Sequence, residues 1–96
     1  MFIIFLKFSE NKSLASDYME DHKKWIKKGI EDNVFMIVGS LQPNLGGGII
    51  ASCNSYLEVE SRVKEDPFVE KDIVKYEIYE LTPSIANEKF KSFLNK

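Results

Sequence analysis

One histidine, His22, stands among residues spaced three or four apart, Leu14, Tyr18, His22, Trp25, Ile26 and Gly29. That spacing places them on one face of a helix. The opposite face carries Asp17, Glu20, Lys24, Lys27, Lys28 and Glu31. Free imidazole titrates at about pH 6.5, so a ring on an apolar stripe is suited to giving or taking a proton. The alternative is a core histidine whose nitrogens are satisfied by backbone or water. The second candidate is Asp66, in Lys64-Glu65-Asp66-Pro67-Phe68-Val69, where a carboxylate is held between a helix end and a proline. A carboxylate beside an imidazole orients the ring and fixes its tautomer, so His22 and Asp66 are expected to form an acid–base dyad. Otherwise Asp66 is a solvated residue of a helix-end turn. Tyr18 and Trp25, one turn to either side of His22, offer an aromatic wall to a planar ligand, or else simply belong to the core.

Composition narrows what these residues can be doing. With 96 residues, 44% apolar and 29% charged, the chain reads as a single globular domain, 1–96. The net charge is −2 and the lysines are scattered among acids, so no basic face exists to neutralise nucleic acid. One cysteine, Cys53, excludes an internal disulfide and, with a single histidine, leaves too few ligands for a zinc site. Cys53 has no cationic neighbour in sequence and is read as a packing residue. The apolar run 2–6 ends at Lys7, too short for a signal-peptide core or a membrane span, so a cytoplasmic protein with no membrane partner is expected.

The elements that must position the dyad follow from periodicity. Residues 2–8 read as a strand, and residues 13–31 as the helix carrying His22, with Ser13 as N-cap and Asn33 able to take the left-handed conformation after its end. Two apolar runs, 34–41 and 48–53, read as buried strands that pair antiparallel across the turn residues 42–47. Gly46-Gly47-Gly48 reads as a flexible loop first and a pocket rim second and, preceding a strand, is no phosphate cradle. Ser55 and Glu58 form a capping-box pattern for a helix over 55–65, ended by Pro67. Residues 73–81 alternate as a last strand, and Ala86, Phe90, Phe93 and Leu94 predict a short C-terminal helix packed by that edge.

The order strand, helix, strand, strand, helix, strand is the split βαβ, or ferredoxin-like, arrangement of an α+β domain, with a C-terminal helix added. Its two helices lie side by side on one sheet face, where a residue on the first can meet one at the end of the second. The early strands are apolar at both odd and even positions, so the other face needs a cover as well. A homodimer packing sheet against sheet supplies one. The alternative is a monomer covered by its C-terminal helix.

His22, Gly39, Gly46-Gly47-Gly48, the helix start Ser55 to Glu58 and Asp66-Pro67-Phe68 stand in an order that resembles the YciI-like, or YCII-related, family over about residues 1–82. The resemblance implies a ferredoxin-like domain of dimeric α/β-barrel type and a site centred on His22 and Asp66, and some relatives are similar to dehydrochlorinases of chlorinated hydroxyquinones. Relatives often have proline after the glycine of the second strand, where this chain has Ser40. At a strand end near the pocket, Ser40 is a candidate hydroxyl for the ligand, or else a turn former. Where relatives carry glycine after Asp-Pro-Phe, this chain has Lys71-Asp72.

The functional expectation is a small enzyme of lyase or isomerase type that needs no cofactor or metal, acting through His22 and Asp66 on a small molecule, aromatic ones among the candidates. Tyr18, Trp25 and Ser40 would bind the substrate. The alternatives are a silent ligand-binding or dimeric scaffold module and a cofactor-free monooxygenase, the haem-degrading kind included.

Overall fold

The computed structural model describes residues 1–95, without the side chains of Phe93 and Asn95. The chain runs β1 (Phe2–Phe8), α1 (Ala15–Glu31), β2 (Phe35–Leu41), β3 (Gly46–Ala51), α2 (Tyr56–Val63), α3 (Pro67–Glu70) and β4 (Val74–Glu80). The strands form one antiparallel sheet in the order β2-β3-β1-β4, the ferredoxin-like α+β arrangement expected from the sequence.

Alternation along β1 decides which face is the core. Phe2, Ile4 and Leu6 point toward the helices and are buried, joined there by Ile49 and Ala51 of β3 and Val74 of β4. The helices answer with Trp25, Val59, Val63 and Phe68. Burying a side chain of this size is worth roughly 1.5–3 kcal/mol, so a one-residue slip of β1, which would turn all three outward, is strongly disfavoured. Gly29 lets α1 approach β2: a Cβ there would collide with the Phe35 ring. After α1 the chain turns through Asn33, at φ 59°, as its residue type foretold.

Several local expectations are corrected. Ser13 does not cap α1; it lies in a 3₁₀ turn, Lys12–Leu14, whose chain entry is held by the Ser9 hydroxyl accepting the Asn11 N–H at 3.0 Å, and α1 begins with no side-chain cap. Ser55 does cap α2, its Oγ accepting the Glu58 N–H at 3.2 Å. Pro67 opens α3 rather than only closing what precedes it, since a missing N–H costs nothing at the first helical position. Strand β2 is not buried throughout: it is the sheet edge, its register shifts between Phe35 and Ile37, and Met36 and Ile37 are 42% and 59% exposed.

Ile3 and Phe5 alternate outward on β1; Ile3 sits opposite Ile50 of β3 and Tyr79 of β4, and the Phe5 ring meets Tyr79 edge-on at 6.1 Å, so the second sheet face carries the apolar side chains the sequence implied. The expected C-terminal helix is instead a 3₁₀ segment, Glu88–Asn95, closed at its start by the Phe90 N–H on the Asn87 carbonyl at 2.8 Å. Phe90 and Leu94 of the expected packing edge are exposed; the side chain of Phe93, and Lys96, lie outside the described residues. Ile85, Ala86 and Phe90 line a groove with Met36, Ile37 and Ile50 on the outer face. Among the described residues no helix is long and apolar enough to cross a membrane.

Candidate active site

Asp66 is placed by the junction between two helices. Its backbone is extended (φ −65°, ψ 123°), as the following proline requires, and its side chain caps α3 by accepting the Phe68 N–H on Oδ1 at 3.0 Å. The same Oδ1 lies 2.7 Å from Nδ1 of His22. As a carboxylate Asp66 only accepts, so Nδ1 carries the proton and the neutral ring presents its lone pair at Nε2. Among the described residues the ring makes no other hydrogen bond.

The dyad is sheltered but open to a ligand. Asp66 is fully buried, and its second oxygen, Oδ2, has no hydrogen-bond partner among the described residues. A carboxylate oxygen left without a partner in the interior is costly. The His22 side chain is 14% exposed and lies flat on Phe68, ring centroids 3.9 Å apart and planes 3° apart. Its accessible part reaches a pocket of about 310 Å³.

Six elements build that pocket, β4 with Val74 alone. Met19, His22, Lys23 and Ile26 come from α1 at positions i, i+3, i+4 and i+7, one continuous stripe. Leu6 and Phe8 of β1 and Phe68 of α3 add apolar walls. Ser40 of β2 lines the pocket opposite Gly47 in the sheet register. The glycine run is not a loop but the first half of β3, held between β1 and β2, and it gives the pocket a floor of bare backbone.

The structure thus brings His22, Asp66 and Ser40 together and leaves the two aromatic candidates out. Trp25 is buried, donates Nε1–H to the Arg62 carbonyl at 2.9 Å and meets Phe35 edge-on; it neighbours the His22 ring at 5.9 Å but does not line the pocket. Tyr18 packs against the core with the Lys71 ammonium 5.7 Å from its ring, also outside the pocket. The aromatic wall is Phe68 and Phe8 instead. Lys23, Met19 and Phe68 went unremarked as pocket residues, although the Met19-to-Ile26 spacing is readable in the sequence. Cys53 lies away from this pocket, and burial, with Glu58 nearby, pushes its thiol pKa up, which makes it a poor nucleophile. Among the described residues no cluster of three or more His, Cys, Asp or Glu is placed to hold a metal.

A ferredoxin-like domain with a first-helix histidine bound to an aspartate at a pocket wall is the class that fold and site define. The chain belongs to the YCII-related domain family, whose model matches residues 1–83. Among solved structures it is similar to 5-chloro-2-hydroxyhydroquinone dehydrochlorinase (TftG) from Burkholderia phenoliruptrix AC1100, in complex with 2,5-dihydroxybenzoquinone. That likeness has a TM-score of 0.71 at 18% identity and covers 83% of this chain and 91% of that one. At that identity it speaks to the fold. No curated protein is significantly similar in sequence. The loop after Asp66-Pro67-Phe68 keeps its turn without glycine, because Asp72 takes a left-handed φ of 56°.

Proposed function

We propose that this protein is a small enzyme of lyase or isomerase type, working without a cofactor, in which His22 is the general base and acid and Asp66 its orienting partner. The observation that carries the reading is the 2.7 Å contact between His22 Nδ1 and Asp66 Oδ1 at the wall of an open pocket. Nε2 takes a proton from an activated carbon or hydroxyl of the substrate. The electron pair left behind expels a leaving group in the lyase case, or is protonated at another carbon by the same imidazolium in the isomerase case. Phe68, Phe8 and Leu6 suit a planar ring, and the Ser40 hydroxyl on the pocket lining can bind one of its oxygens.

The dehydrochlorinase supplies the first compounds to try. Chloride release from 5-chloro-2-hydroxyhydroquinone, followed beside a panel of hydroxyquinones and enolisable acids, is the direct assay. For whichever compound turns over, His22→Ala is expected to lower turnover about 10²- to 10⁴-fold with the fold intact by circular dichroism. An unfolded variant, or full activity in a folded one, would make His22 structural and favour a binding module. The apolar outer face belongs to the same reading: a second copy of the chain covers it, sheet against sheet.

A further inference from the structure

We infer that Lys23 makes the pocket selective for small planar organic anions, ligands whose ring carries an ionised phenol, enol or carboxyl group; this rests on the pocket being the ligand site proposed above. Among the described residues Lys23 is the only lysine or arginine lining the pocket, and no aspartate or glutamate lines it. Its ammonium has no ion-pair partner among the described residues, whereas Lys27 and Lys28 on the same helix reach Glu31 at 3.9 Å and Asp32 at 3.3 Å. Glu20 and Lys27, three and four residues away on the helix, leave it unpaired or repel it.

An uncompensated cation therefore stands beside walls that are otherwise apolar, with one hydroxyl, Ser40, across the floor. A neutral ring would gain only the burial of its faces. An anionic ring gains in addition a charge-assisted hydrogen bond. His22 adds direction, because Lys23 follows it in the same stripe of α1. A ring anchored by its anion at Lys23 lies along the wall that carries the base.

The test uses 2,5-dihydroxybenzoquinone, a vinylogous acid ionised at neutral pH, against its neutral dimethyl ether, each titrated into the full chain. Binding is read from the ring-proton signals of His22, the only histidine. The expected result is that the anion binds about tenfold or more tightly than the ether, that Lys23→Met abolishes the difference while leaving the ether's Kd unchanged, and that Lys23→Arg restores it. The preference should also shrink as salt is raised, since the Lys23 side chain is exposed. Equal affinities in the unaltered protein, or equal weakening of both ligands by Lys23→Met, would overturn the role of Lys23 while leaving the pocket reading intact. Failure of both ligands to move the His22 signals would overturn the two together.

Discussion

Asp66 serves two partners through one oxygen, the N-terminus of α3 and the ring of His22. The two roles separate by substitution. Asp66→Asn keeps an acceptor that caps helices well, so the variant should fold with stability within about 1 kcal/mol of the parent while turnover falls. Asp66→Ala removes the cap and leaves the His22 Nδ1 without its partner, which should cost about 1–3 kcal/mol in urea unfolding. Equal stability of Asp66→Ala and the parent would show that neither contact supports the fold. At this scale His22 and Asp66 were legible, because a lone imidazole on an apolar stripe and a carboxylate before proline are unusual in type. Lys23 was not, because counting the stripe from Leu14 through Tyr18 follows the side of α1 that meets the core. The helix has two working sides: Trp25 and Gly29 face the core, while Met19, His22, Lys23 and Ile26 face the pocket.

Between elements, two glycines carry opposite expectations. Gly29 has no room for a methyl group against Phe35, so Gly29→Ala should destabilise the protein by about 1–3 kcal/mol, visible as a lowered Tm. Gly47 is different. By alternation with Ile49 and Ala51 its missing side chain would point to the helix side, and a Cβ would meet only the Gly39 carbonyl oxygen, at an ordinary 3.6 Å. Gly47→Leu should fold normally but fill the pocket floor and abolish ligand binding by NMR titration; retained binding would place the ligand elsewhere. Glycine is a poor strand former in isolation, so the run by itself predicts a loop. Its place is decided by pairing with both β1 and β2, information held by distant parts of the chain. The same holds for Pro67, whose ability to start a helix shows only once Asp66 is seen capping it.

For the whole molecule, the two-faced apolar character of the strands was the most legible property. It follows from counting odd and even positions and needs no tertiary contact. What the sequence did not disclose is how residues 84–95 dispose themselves, since a handful of apolar positions at helical spacing is compatible with a 3₁₀ segment whose aromatic edge stays in solvent. Sedimentation equilibrium should return a dimer. Ile37→Lys, which places a charge on the outer face without touching the pocket, should shift it to monomer with the dyad unperturbed. A parent that sediments as a monomer would remove the second copy from the proposed function.

The hydrogen bond between His22 and Asp66 spans 44 residues, and β1, from the start of the chain, pairs with both β3 and β4. Neither half of the chain therefore contains the hydrogen-bonded pair. It comes into being only when the two halves have docked around β1, a closure between segments remote in sequence and correspondingly slow. During refolding the pair should therefore form late, and any activity that depends on it is expected to return with the completion of the sheet rather than with the formation of either helix.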